Sequence, residues 1–313
     1  MRRPWRASAG RNRALTGPAA GGGAFDRFAA TVRPSLEEAL ARFLPPAAAR
    51  AGELSRGIAD AALSSGKRLR PLAALAAGEL ARAREGAALP VAVAVEFVHA
   101  ASLVLDDLPS MDDARRRRGR PALHRVYGVA TAELAAVALL ARAFEIIAVA
   151  GGIAGASRAR IVGELAGAVG AEGCCAGQAA DLSADPVSAG IDDLEAIHAQ
   201  KTGALFVAAV RGGALAGGAG ERMLSSLTAY ARNLGLAFQI TDDLLDVAGN
   251  AQTMGKDVRR DAHRANFATI LGVDTCRRLV DELLAAAVAA LSPFGKRAAV
   301  LSDLARVVRD RRS

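Results

Sequence analysis

FQITDDLLD, residues 238–246, sets Gln239, Asp242, Asp243 and Asp246 at offsets 0, 3, 4 and 7. On an α-helix those positions form one stripe. Phe238, Ile240, Leu244 and Leu245 are interleaved with them, so the acids ride on an apolar helix, where a carboxylate is costly unless a cation meets it. The stretch raises two expectations at once: a helical fold, and a charged site inside it.

A second cluster repeats the problem. DDLPSMDDARRRRGRP, residues 106–121, packs four aspartates and five arginines into sixteen positions. Two carboxylates about 5 Å apart repel by roughly 3 kcal/mol at an effective dielectric near 20, so Asp106 with Asp107, and Asp112 with Asp113, call for counter-ions. The cluster follows the apolar run VEFVHAASLVLDDL, in which His99 stands seven residues before Asp106 and so on nearly the same helical face. Pro109 interrupts that helix, and Asp112 is expected to return to the site from an irregular turn. Two acidic walls facing across an interior suit Mg²⁺, which takes oxygen ligands, keeps several waters and bridges to phosphates. A diphosphate is then the expected ligand, and the arginines after the first cluster are suited to clamp it.

Working outward, further cations appear at three separated places. GKRLRP sets Lys67, Arg68 and Arg70 at a predicted helix start, where backbone N–H groups also favour an anion. KTG offers Lys201 and Thr202, and GKD offers Lys256. Together they describe a site for more than one diphosphate.

Composition agrees with a helical protein. Alanine and leucine dominate the 313 residues, aromatics are 4% and β-branched runs are short. The pattern predicts helices over 90–107, 129–149, 157–182, 191–217, 221–246 and 274–291, and SLEEALARFL has the Ser-to-Glu spacing of a capping box. No repeat or linker divides the chain, so one domain over residues 26–313 is expected, preceded by a disordered basic extension over 1–25.

The net charge of +8 looks like a nucleic-acid signal until it is located. Arg2, Arg3, Arg6, Arg11 and Arg13 lie in the first 25 residues with no acid among them, and the rest is too poor in aromatics for a base-stacking surface. No nucleic acid is expected. Cys174, Cys175 and Cys276 make neither a disulfide framework nor a zinc spacing, which fits a cytoplasmic protein. Glu96 and His99, and Glu133, Arg142 and Glu145, break the long apolar stretches, so no transmembrane segment is expected.

Taken in order, GKRLRP, DDLPSMDD with RRG, GQAADL, KTG and FQITDDLLD resemble the short-chain trans-isoprenyl diphosphate synthases of the polyprenyl synthetase family, and within it the geranylgeranyl diphosphate synthases of bacterial carotenoid-type pathways. The resemblance spans about residues 30–290. It implies an all-α, single-domain bundle of the isoprenoid synthase type around a deep central cavity. It also implies a homodimer that joins dimethylallyl, geranyl or farnesyl diphosphate to isopentenyl diphosphate with two or three Mg²⁺ ions. Carried over by motif, Asp106, Asp107 and Asp112 hold metal on one wall, and Asp242, Asp243 and Asp246 on the other. Arg117 contacts the allylic diphosphate and Arg118 the isopentenyl one. Lys67, Arg70 and His99 resemble the isopentenyl diphosphate pocket; Lys201, Thr202, Gln239 and Lys256 resemble the allylic side.

Product length in this family depends on what blocks the cavity below the first aspartates. Ala101 and Ser102 stand five and four residues before Asp106, one to one and a half helical turns down. The first is an aromatic plug in farnesyl diphosphate synthases, so the methyl group here points to C20 over C15. Three positions depart from the common pattern: Leu105 replaces a histidine, Val137 an aspartate, and Arg264 stands where a lysine is usual. A regulatory subunit would lose aspartates from one cluster, and a terpene cyclase would carry a different second metal motif and no GKRLRP pocket.

Overall fold

Long runs of alanine, leucine and valine favour helices that pack closely through short side chains. The computed structural model describes residues 22–46, 52–184, 190–252 and 266–311. In chain order α1 (Ala24–Arg42), α2 (Gly52–Ala62), α3 (Leu69–Leu80) and α4 (Leu89–Asp106) come first. A small antiparallel hairpin, β1 (Arg116–Arg117) and β2 (Arg120–Pro121), leads to α5 (Leu123–Tyr127), α6 (Val129–Ala148), α7 (Gly155–Val169), α8 (Cys174–Ser183) and α9 (Ile191–His198). A π-helical turn, Ala199–Gly203, joins α9 to α10 (Ala204–Ala216). Then follow α11 (Glu221–Gln252), α12 (Phe267–Leu271), α13 (Val273–Ala290), a 3-10 segment at Ser292–Ala298, and α14 (Ala299–Arg309).

The fold is all-α, with α4 at its centre between α3, α6 and α10, and α11 backed by α13. Val91, Val93, Val95 and Phe97 are buried along α4. By length and mean hydropathy α4 qualifies as a membrane span, yet most of it is enclosed by its neighbours, which is the burial of a core helix.

Three sequence expectations shift. Ser35 does not open a helix: α1 begins at Ala24, runs through Pro34, and is capped where the Gly23 N–H donates to Asp26. Its buried face of Phe25, Ala29, Leu36 and Leu40 is continuous across the proline, and packing outweighs the hydrogen bond that Pro34 removes. Phe25 is in the core, and its N–H donates to Asp303 Oδ2 at 2.8 Å, so the folded body starts slightly ahead of residue 26. Residues 1–21 lie outside those described. The predicted helix over 157–182 is two, α7 and α8, because the chain turns between Gly170 and Gly173.

The predicted helix over 191–217 is also interrupted, by the π-helical turn that holds Lys201 and Thr202. Such turns insert an extra residue into a helix and redirect its side chains. Gly177 of α8 packs against this one so tightly that a Cβ there would stand 2.3 Å from the Lys201 nitrogen.

Candidate active site

Asp106 ends α4 and Asp107 caps it. Past Pro109 the chain folds back: the Asp112 N–H donates to the Asp106 carbonyl at 2.9 Å and the Ala114 N–H to that of Asp107 at 3.1 Å. The irregular turn expected from the proline is therefore present, and it returns Asp112 beside Asp106. Asp107 is 3% exposed and accepts Arg117 Nε and Nη2 at 2.8 and 2.5 Å. Asp106 is half-buried, and burial pushes its carboxyl up to about 6, with Asp112 and Asp107 adding repulsion that Lys201 and Arg117 only partly offset.

The opposite wall is α11. Asp243, 5% exposed, accepts Gln239 Nε2 at 3.1 Å and the Phe267 N–H at 3.0 Å. Burial outweighs these donors and raises it to about 6. Asp242 diverges from it toward Arg311, whose Nη1 is 2.8 Å from Asp242 Oδ1. Burial raises Asp242 as well, against the pull of Arg311, Arg70 and Lys67. Asp246 is exposed.

The π-helical turn bridges the two walls. Thr202 Oγ1 donates to Gln239 Oε1 at 2.9 Å, which ties it to the Asp243 network. Lys201 Nζ donates to Asp181 Oδ2 at 2.6 Å and is close enough to Asp106 to lower its pKa. This turn thus relates the two aspartate clusters, Thr202 by its hydrogen bond into the Asp243 network and Lys201 by its charge near Asp106.

Beside this site lies a cationic cavity of about 310 Å³, bounded by Lys67, Arg70, His99, Arg118, Phe238 and Arg311. Arg70 sits 4.5 Å from the ring centre of Phe206 and 5.5 Å from that of Phe238, and its buried Nε has no hydrogen-bond partner. Burial and the neighbouring guanidiniums of Arg70 and Arg118 hold His99 well below its usual range, so its ring is neutral. Lys67 is lowered by burial and by Arg311, with Asp242 opposing. An anion in this cavity meets fixed positive charge on several sides.

Sequence reading missed the roles of Arg311, Asp181 and Glu96, and it set Arg68 with Lys67 and Arg70 among the diphosphate-binding cations, whereas Arg68 is 4% exposed and paired with Glu37 and Glu96. No local motif marks Arg311, which reaches the site only through tertiary packing, and Asp181 stood inside the quoted GQAADL without a role assigned to it. Arg68 and Glu96 stood inside quoted motifs, but their pairing joins two separate helices. Of the chain-length positions, Ala101 is fully enclosed and Ser102 keeps accessible surface, its Oγ donating to the His99 carbonyl at 3.0 Å. Lys256 and Arg264 lie outside the described residues.

The donor set is one of hard oxygens. Among the described residues no three His, Cys, Asp or Glu side chains close on one point as a ready-made cage. Burial nonetheless raises Asp106 and Asp243 by more than their neighbouring cations and donors offset. Such walls fit Mg²⁺ held by one or two carboxylates each, with waters and phosphate oxygens completing the shell.

The polyprenyl synthetase family model matches residues 53–288. The chloroplastic geranylgeranyl pyrophosphate synthase of Catharanthus roseus is 42% identical over 251 residues, 79% of this chain and 70% of its own length. The farnesyl diphosphate synthase of Escherichia coli (strain K12) is 40% identical over 252 residues, 79% of this chain and 84% of its own. Among solved structures, an FPP/GFPP synthase from Zymomonas mobilis matches with a TM-score of 0.82 and 34% identity, covering 91% of this chain and 98% of that one.

Proposed function

This chain belongs to the polyprenyl synthetase family and is a trans-prenyltransferase, and from that premise we propose that it condenses allylic diphosphates with isopentenyl diphosphate to give geranylgeranyl diphosphate. The observation that carries this reading is the pairing of two unlike anion sites in one place. An aspartate-walled site bridged by Lys201 and Thr202 lies beside a metal-independent cationic cavity. One diphosphate needs only the first; a reaction that joins two needs both.

Asp106, Asp107, Asp112, Asp242, Asp243 and Asp246 are the residues that would hold Mg²⁺. When bound, it neutralises the allylic diphosphate as that group departs with the electrons of its C–O bond. Arg117, Lys201, Thr202, Gln239 and Lys256 orient the same diphosphate and share its growing charge. Lys67, Arg70, Arg118 and neutral His99 hold isopentenyl diphosphate with its double bond toward the carbon that ionises. That π-bond attacks the allylic cation, one proton leaves to the released diphosphate, and no protein nucleophile is required. Apolar walls must exclude water, which would trap the cation as an alcohol.

Ser102 supports the C20 product, because the accessible position below Asp106 carries a small side chain. A homodimer is supported by α6, whose outward stripe includes Leu134 and Val137, 56% and 60% exposed. Single exposed apolar residues are ordinary, but a stripe on one helix marks an interface. Val137 replaces the family's usual aspartate there. The test is to incubate the protein with Mg²⁺, labelled isopentenyl diphosphate and each allylic primer, then size the dephosphorylated products. A C20 alcohol supports the proposal, a C15 alcohol corrects its chain length, and no incorporation with any primer overturns it.

A further inference from the structure

The loop before α3 is held largely by residues to which the proposed reaction assigns no role: Arg33, Glu37, Arg68 and Glu96. Arg68, the residue between Lys67 and Leu69, adopts φ 54°, a left-handed conformation that an L side chain occupies only when its surroundings enforce it. It is 4% exposed. Its guanidinium donates through Nη1 to Glu96 of α4, and through Nε and Nη2 to Glu37 Oε1 and Oε2 of α1 at 3.1 and 3.3 Å. Glu96 is itself 2% exposed. It stands ten residues before Asp106 and three before His99 on the same helix.

The rest of the loop is tied down in the same manner. Arg33, one turn before Glu37 on α1, donates to the Lys67 carbonyl at 3.0 Å and to that of Gly66 at 3.5 Å. Arg118 donates to the Ser65 carbonyl at 2.9 Å and to Ser64 Oγ at 3.1 Å. A Cβ on Gly66 would come within 2.8 Å of Arg118 Nη1, so glycine leaves room for this approach. Three consecutive carbonyls, which would repel a diphosphate if turned toward it, are thereby engaged by guanidiniums.

Glu96 also stands out by charge. Among the described residues it is the single carboxylate lining the cationic cavity, against Lys67, Arg68, Arg70, Arg118 and Arg311. Its position lets it restrain Arg68 by direct contact, together with Glu37, while its field reaches Arg70 and Arg118 and that of Asp242 reaches Lys67 and Arg70. A salt bridge buried this deeply adds little net stability compared with apolar packing. Its value lies in the conformation it enforces.

We propose that Glu96 is a positioning residue acting through Arg68: it locks the strained loop 65–68 so that Lys67 and Arg70 present a preformed seat for the second diphosphate. This rests on the condensation reading above, deepening it at the isopentenyl diphosphate side. The allylic site, built on the end of α4 with Asp112 and Arg117, on α11 and on the π-helical turn, takes no residue from loop 65–68.

The experiment compares wild type with Glu96→Gln, checking the fold of each by circular dichroism. The KM for isopentenyl diphosphate is expected to rise about tenfold or more, the scale of one lost charge-assisted contact, while the KM for geranyl diphosphate stays within about twofold of wild type. Equal shifts in both constants, or no shift in the first, overturn the proposal. Should Glu96→Gln not fold, the double variant Arg68→Met with Glu96→Leu replaces the buried pair by apolar side chains, and the same split in KM is expected. A purely structural pair predicts wild-type constants for it.

A second arm does not require turnover: calorimetric binding of inorganic pyrophosphate in EDTA, where the aspartate walls carry no metal. Wild type should bind and the folded variant should bind about tenfold or more weakly; equal binding by the two, or none by wild type, overturns the inference. A wild type that binds pyrophosphate but extends no primer sinks the condensation reading while leaving this arm to decide the role of Glu96.

Discussion

Arg311 Nη1 lies 2.8 Å from Asp242 Oδ1, and the Arg311 guanidinium sits 4.2 Å from the centre of the Phe238 ring. Phe238 and Asp242 are four residues apart, one turn of α11, so a single arginine from beyond α14 covers the ring and the carboxylate together. The same guanidinium borders the cationic cavity. It thus occupies the junction between the two anion sites.

Arg311 and a divalent cation compete for one carboxylate. Replacing the arginine removes the competitor, and Arg311→Ala should lower the Mg²⁺ concentration for half-maximal rate by a few fold, the effect of about 1 kcal/mol from a partly exposed ion pair. Titrating MgCl₂ at saturating substrates checks it. An unchanged or higher half-saturation contradicts a competing role.

Burial ranks the aspartates. Asp106 and Asp243 are raised by desolvation, and Asp243 is held by Gln239 and the Phe267 N–H, whereas Asp246 is exposed to solvent. Asp106→Ala and Asp243→Ala should each cost about 10³-fold or more in kcat, on the scale of losing charge stabilisation at a leaving group. Asp246→Ala should cost roughly tenfold, since solvent screens its contribution. Single-turnover rates compare the three, and equal losses would show that depth in the site does not set their weight.

Much of this site was legible because its acids follow helical spacing. Gln239, Asp242, Asp243 and Asp246 declare their shared helix by offsets alone, and Pro109 announces the turn that returns Asp112. The divergence of Asp242 from Asp243 was not legible, because it depends on Arg311 and on the N–H of Phe267, 69 and 24 residues further on. The π-helical turn also left no pattern in AQKTG; its extra residue is accommodated because Gly177 lets another helix press against it. Ser35 misled in the other direction, since its capping-box spacing to Glu38 lies inside α1, whose buried face of Phe25, Ala29, Leu36 and Leu40 continues on both sides of Pro34.

The α6 stripe predicts the assembly. Leu134 and Val137 are three residues apart and both exposed, so in a dimer built on this face a charge on each would meet the partner copy. Leu134→Glu with Val137→Glu should convert a dimer to a monomer, measured by sedimentation velocity at micromolar concentration. A wild type that sediments as a monomer, or a double variant that remains dimeric, removes this face from the interface.

Acid titration should behave differently with and without metal. Asp106 and Asp243 stand at about 6 against an ordinary 3.8. Between those values the folded chain retains protons that the unfolded chain has lost, so metal-free stability falls as pH rises from about 4 to about 6 and then levels off. Mg²⁺ needs both carboxylates ionised. Its stabilisation should therefore be small near pH 5 and full near pH 7, and kcat/KM should decline on the acid side of about 6. Melting curves with MgCl₂ or EDTA across this range measure the difference, and an equal Mg²⁺-induced rise in Tm at both ends contradicts the assignment.

Chain length offers the finest test, because two adjacent residues make different predictions. Ala101 is fully enclosed, so Ala101→Phe must force a ring into packed space and should cost stability of about 1–3 kcal/mol. Ser102 faces accessible space one turn below Asp106, and Ser102→Phe should fill it with little strain. The expected outcome for Ser102→Phe is a product shortened from C20 to C15 or C10 with its Tm near wild type. Ala101→Phe should lower the Tm, whatever it does to the product. If Ser102→Phe still yields C20 while Ala101→Phe shortens the chain, the tail runs along the enclosed side of α4, and the cavity opens there when substrate binds.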